Sequence, residues 1–96
     1  MQFANLINGE WVETSGSRPN INPSDTSDVI GHYASGSESD VDAAVDAATT
    51  ALPAWAAASP QMRFDRLDAV GNAILKDKDA IGRMLSREEG KTLAEG

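Results

Sequence analysis

The sequence contains no cysteine, a single histidine (His32), five aromatic residues in 96 and no long apolar run. Each shortage removes a class of explanation. Without cysteine there is no disulfide framework, no thiolate metal site and no thiol nucleophile among these residues. With one imidazole, a Ser-His-Asp triad or a His-based metal centre lacks partners, and no HxxxH or HExxH spacing occurs, so His32 reads as a surface or half-buried strand residue. No stretch nears the roughly 18 apolar residues of a membrane span, and the opening MQFANLINGE lacks the basic-then-apolar order of a secretory signal. No membrane partner and a cytoplasmic location are therefore expected. Bases are also scarce: 8 Lys and Arg against 15 Asp and Glu give a net charge of −7, the wrong sign for a nucleic-acid partner.

Large apolar side chains are few as well. Ile, Leu, Val and Phe together number 18, while Ala alone numbers 15. That supply is thin for an independent core and lies near the composition of chains that do not fold alone. Length permits one domain. The acidic surplus falls in residues 1–60, with eight acids and one base (Arg18), whereas residues 61–96 carry seven of each. The plain reading of that surplus is a solvated face.

What is present has clear local grammar. Leu6-Ile7 leads into Asn8-Gly9, and Glu10-Trp11-Val12 leads out, which predicts a hairpin on a type I′ turn. A lone ribbon is marginal in water, so Trp11 is expected to pack on another layer. Residues 15–27, with Gly16, Pro19, Pro23 and five Ser or Thr, read as a loop, and Asp28 to Ala34 as a short strand. Ser37 and Asp40 form a capping box ahead of Val41, Ala44, Val45, Ala48, Leu52 and Trp55, one face of a helix expected to end or kink near Leu52 because of Pro53. Ser59-Pro60 opens a second helix with a buried stripe of Phe64, Leu67, Val70, Ile74 and Leu75. A third starts at Asp77 or Asp79, turns Ile81, Met84 and Leu85 inward, and stops at Gly90. Thr92 and Glu95 have the spacing of a further helix start, so the chain reads as a piece of something longer.

Few side chains ask for a chemical role. Asp40 with Asp42, and Asp77 with Asp79, sit at helix N-termini, where the helix dipole explains them. Glu88 and Glu89 sit at a helix C-terminus, where acids are mildly unfavourable, which marks them for another task. Glu89-Gly90-Lys91-Thr92 ends like a P-loop, but a helix precedes it and the first glycine is missing (Leu85). Trp11 and Trp55 read as packing anchors.

Taken together, Leu6-Ile7-Asn8-Gly9-Glu10-Trp11-Val12, Asn22-Pro23 before Val29-Ile30-Gly31, Ala51-x-x-x-Trp55 with Pro60, Arg63 and Leu67, and Glu88-Glu89-Gly90-Lys91 resemble the beginning of an aldehyde dehydrogenase. The likeness runs from about Asn5 to Gly96, and its ending resembles the semialdehyde-oxidising branch. The resemblance implies an α/β parent fold. This segment would be α+β: an N-terminal β-hairpin and short strand, then three helices on the outside of the cofactor domain, with residues 1–96 an incomplete N-terminal part of the NAD(P)-binding domain. It further implies an oxidoreductase using NAD or NADP, a small-molecule aldehyde as substrate, the remainder of the polypeptide as partner, and a homo-oligomer (dimer or tetramer). In that family a cysteine thiolate attacks the aldehyde, hydride passes to the nicotinamide, and a glutamate-activated water releases the carboxylate while backbone and Asn amides hold the oxyanion. None of those groups would belong to these residues, so no catalytic or cofactor-binding residue is expected here. One family feature maps onto the chain, a Na⁺ or K⁺ site at Asn20, Ile21 and Glu88. A competing reading is a free-standing acidic adaptor binding a partner through the Val41, Leu52 and Trp55 helix face.

Overall fold

The structure, a computed structural model, describes residues 2–96. Five strands precede three helices: β1 (Gln2–Phe3), β2 (Asn5–Ile7), β3 (Glu10–Val12), β4 (Ser17–Ile21), β5 (Val29–Ala34), α1 (Glu38–Ala57), α2 (Pro60–Lys76) and α3 (Lys78–Glu89). The hairpin forms as its turn chemistry requires: β2 and β3 pair antiparallel, Leu6 opposite Trp11, across Asn8 (φ 53°) and Gly9 (φ 77°). A second sheet has the order β1-β5-β4, with β1 parallel and β4 antiparallel to β5. Phe3 stacks on Tyr33 at 4.6 Å between ring centroids.

β4 corrects the sequence reading, which placed a loop over residues 15–27. Its Pro19 is tolerable because β4 is an edge strand and needs no donor on its open side. The register shifts between Asn20, opposite Gly31, and Ile21, opposite Val29, so Ile30 is the extra residue of a β-bulge. Ile30 is also the one buried large apolar side chain among the described residues, at 8% exposure.

The helix starts are where the caps put them. Ser37 accepts from the Asp40 amide at 3.2 Å while Asp40 Oδ2 accepts from the Ser37 amide at 2.8 Å, and Ser59 Oγ accepts from the Met62 amide at 3.1 Å. The Ser37 amide, then its hydroxyl, hold the Asp40 carboxyl below its ordinary pKa. Asp77 stands at the head of α3 without a side-chain cap bond, and Gly90 ends that helix at φ 73°. Of the end or kink expected near Leu52, the end does not occur: α1 continues through Pro53 to Ala57. The proline frees only the Thr49 carbonyl on an exposed face, and the alanine-rich turn that follows has the highest helix propensity available. Thr92 to Gly96 make one turn, with Glu95 Oε2 accepting from the Thr92 amide at 3.3 Å and the Gly96 amide donating to the Thr92 carbonyl at 3.2 Å.

The apolar stripes are formed but not covered. Leu67 is 63% exposed and Trp11 72%; Val41, Leu52, Phe64, Val70, Ile74 and Leu75 are exposed too, against the expectation that they are buried. The reason is shape. The chain is a slab of 47 × 34 × 16 Å with a radius of gyration of 17.0 Å, where about 13 Å is usual for this length. Its accessible surface is 7537 Å², against about 5,300 Å² for a folded monomer of this mass. The surplus of about 2,200 Å² is more than twice the ~800 Å² one partner contributes to an ordinary interface. Arg63 Nε is buried without an acceptor among the described residues. No helix among the described residues is long and apolar enough to cross a membrane.

Candidate functional site

The side chains singled out for chemistry converge where the end of β4 meets the end of α3. Asn22 closes the turn after β4: its carbonyl accepts from the Asp25 amide at 3.2 Å, and its side-chain Oδ1 accepts from the Ser24 amide at 2.9 Å. Its amide nitrogen donates to the Asp28 carbonyl at 3.0 Å, and its Nδ2 to Asp28 Oδ2 at 3.2 Å. Asp28 in turn accepts both Arg87 Nη2 at 2.6 Å and Arg87 Nε at 3.0 Å, a bidentate pair joining residues 59 apart in sequence. Hydrogen bonds from Arg87, and then from Asn22, hold the Asp28 carboxyl down at about 2, and Asp28 raises the Arg87 pKa above its usual value.

This clamp fixes the height of α3 against β4. One residue beyond Arg87, Glu88 Oε1 accepts from Asn20 Nδ2 at 2.8 Å. Two of the three candidate cation ligands thus touch, and Ile21 adjoins them at the bulge, a feature that redirects local backbone. The expected ligands are all oxygen: the main-chain carbonyls of Asn20 and Ile21 and the Glu88 carboxylate, one oxygen of which accepts from Asn20 Nδ2. Such a set suits a hard cation and not a soft one. Among the described residues no three His, Cys, Asp or Glu side chains gather as a metal cluster. Glu89, the other conspicuous acid, pairs with Lys91 at 2.9 Å.

Gly90 explains why the two segments can close. A Cβ there would lie 2.9 Å from Ser24 Oγ and 3.1 Å from Pro23 Cγ. Positive φ and close approach of the Asn22-Pro23 turn both demand glycine. Gly90-Lys91-Thr92 is therefore a helix stop under a turn and makes no phosphate loop. His32 lies exposed on β5, apart from this cluster. The Asp28–Arg87 clamp was not foreseen from sequence, and no local spacing signals it.

The aldehyde dehydrogenase family model matches residues 11–96. The chain belongs to the aldehyde dehydrogenase family. Pea (Pisum sativum) peroxisomal aminoaldehyde dehydrogenase 1 is 42% identical over 97 residues, covering 94% of this chain and 19% of that protein. An alpha-ketoglutarate semialdehyde dehydrogenase of Haloferax volcanii is 37% identical, covering 95% of this chain and 19% of that protein. A crystal structure from Sinorhizobium meliloti 1021, assigned as a methylmalonate-semialdehyde dehydrogenase and complexed with NAD, superposes with a TM-score of 0.83 at 35% identity. It covers 98% of this chain and 19% of that one. The chain thus spans about a fifth of the length of the aldehyde dehydrogenases it matches, and its α+β arrangement of strands followed by three helices is theirs.

Proposed function

We propose that residues 1–96 are the N-terminal part of the NAD(P)-binding domain of an aldehyde dehydrogenase that oxidises a small aldehyde, in particular a semialdehyde, to a carboxylate with NAD or NADP. The observation that carries this reading is the family match over residues 11–96 in a slab whose apolar helix faces are bare. In this reading the segment's role is structural: α1 and α2 lay Leu52, Trp55, Leu67 and Ile74 against the remainder of the polypeptide, and the reacting groups come from that remainder. The same exposed face that an adaptor would present to a foreign partner is here covered within one chain. Semialdehyde specificity draws support from the Haloferax and Sinorhizobium relatives. The enzyme is taken as a cytoplasmic homodimer or homotetramer; the peroxisomal name of the pea relative makes fractionation the natural check.

The experiment is an assay of the longer polypeptide carrying these residues. Reduction of NAD or NADP at 340 nm is followed with a panel of semialdehydes, aminoaldehydes and unsubstituted aldehydes. Turnover, fastest with a semialdehyde, is expected; a purified, folded polypeptide that reduces neither cofactor with any aldehyde would refute the proposal.

A second reading is favoured by the contact of Asn20 with Glu88. Asn20 and Ile21 would hold Na⁺ or K⁺ with main-chain carbonyl oxygens and Glu88 with its carboxylate, adding a positive charge at the carbonyl end of α3, where it offsets the helix dipole. Its test is thermal stability of the longer polypeptide in Na⁺, K⁺ or choline chloride at equal ionic strength. Stabilisation by one alkali ion, lost in Glu88→Gln, is expected, and identical midpoints in all three salts would contradict it.

A further inference from the structure

The cleft between the Asn22–Ser24 turn and the carbonyl end of α3 has no part in that reading. It is a solvent-open cleft of about 340 Å³, and its walls include Asn22, Ser24, Arg83, Arg87, Lys91 and Leu93. Three of the chain's eight bases line it and none of its fifteen acids does; Asp28 and Glu89 pair with Arg87 and Lys91 from outside the lining, so Arg83 is the base without a carboxylate partner among the described residues and the lining stays weakly positive on an acidic molecule. Arg83 and Arg87 share one face of α3 at i, i+4, and the left-handed turn at Gly90 brings Lys91 to the same wall.

The donors are available. Arg83 makes no ion pair among the described residues. The Lys91 bridge to Glu89 is half exposed on both sides, so it is weak and readily exchanged. Arg87 is fixed by Asp28 through Nε and Nη2, which leaves Nη1 uncommitted on an immobilised fork. The Ser24 hydroxyl has no partner among the hydrogen bonds of the described residues, whereas that of Ser86, also in the wall, is committed to the Thr92 carbonyl at 3.1 Å. With Asp28 on Arg87 and Glu89 on Lys91, the net charge at the wall is the single positive charge of Arg83, against about half a negative charge from the carbonyl end of α3.

We propose that this cleft binds a small oxyanion, a carboxylate or phosphate group, held by Arg83, Lys91, Arg87 Nη1 and Ser24, with Leu93 as an apolar wall beside it. The site is independent of aldehyde oxidation and is tested by a readout that is not activity.

The test uses the longer polypeptide carrying these residues. Inorganic phosphate and, separately, butyrate are titrated by calorimetry at ionic strength held constant with chloride. Arg83→Gln and Lys91→Gln are each expected to weaken binding about five- to tenfold, the loss of one charge-assisted hydrogen bond. Arg66→Gln, a charge removed from the exposed surface of α2, is expected to leave it unchanged, and Arg83→Lys to restore part of it. Tighter binding of butyrate assigns the cleft to a carboxylate with an apolar tail against Leu93, and tighter binding of phosphate assigns it to a phosphate group. Absence of heat with both anions overturns the proposal, as does equal binding by wild type, Arg83→Gln and Lys91→Gln. If Arg83→Gln unfolds, Lys91→Gln against Arg83→Lys decides.

Discussion

Replacing Gly90 by alanine isolates the contact on which the candidate site depends. The cost has two parts. Holding a residue with a Cβ at φ 73° costs roughly 1–2 kcal/mol. The new methyl would also meet Ser24 Oγ at 2.9 Å, which a rotation relieves, and Pro23 Cγ at 3.1 Å, which sits on a ring that the Asn22 hydrogen bonds hold in place. Allowing a few tenths for the second contact, the closed arrangement of turn and helix loses about 2 kcal/mol, or roughly thirty-fold in its opening equilibrium. Hydrogen exchange in the longer polypeptide reads this locally, because the amides of Asn22, Asp25 and Asp28 are all hydrogen-bonded inside the turn. Their exchange should accelerate about thirty-fold in Gly90→Ala. Gly90→Asn should fall between the variant and wild type only if φ dominates, since Asn tolerates the left-handed region but carries the same Cβ. Unchanged protection of the three turn amides, or equal loss in the distant β2–β3 hairpin, would refute the reasoning.

Other expectations follow from single contacts. Ser37→Ala removes the acceptor for the Asp40 amide and should cost about 1 kcal/mol, seen as faster exchange in the first turn of α1 and unchanged exchange in α2. Asp28 has a folded pKa of about 2, below its ordinary 3.8, so the unfolded form binds the proton first as pH falls; the stability that the carboxylate contributes is present above pH 4 and is lost between about 4 and 2. Asp28→Asn should flatten that acid limb and loosen α3 at neutral pH, measured by exchange of the Asn22 amide against pH. On α1, Glu38, Asp42 and Asp46 form a like-charge row at i, i+4 spacing with no base in the helix. Asp46→Lys should therefore stabilise α1 by roughly half a kcal/mol in low salt and by less in 1 M salt, read from helix content on melting.

Elements whose reason is local were legible in the sequence. Asn8-Gly9, the Ser37/Asp40 box, Ser59-Pro60 and Gly90 each satisfy a backbone requirement within a few residues, and each stands where its chemistry placed it. β4 escaped notice because its polar composition and Pro19 disguise an edge strand, whose existence is decided by β5 across the sheet. Pro53 does not end α1, because its penalty is small against an alanine-rich, solvent-facing turn. The apolar stripes were identified correctly as stripes, but periodicity says which side chains share a face and not whether anything covers it. At the candidate site, Glu88 stood out as an acid at the wrong end of a helix, and Asn20 beside it came only from the family resemblance. The Asp28–Arg87 clamp joins positions 59 apart and leaves no trace in local spacing.

On the proposed reading, this slab takes its stability from a larger body. The most direct measurement is acrylamide quenching of Trp11 and Trp55 during a thermal melt, made on the isolated 96-residue chain and on the longer polypeptide. Free-tryptophan quenching without a cooperative transition in the short chain, and protected tryptophans with a sharp transition in the long one, is the predicted result. A cooperative melt of the short chain with both tryptophans protected would contradict it.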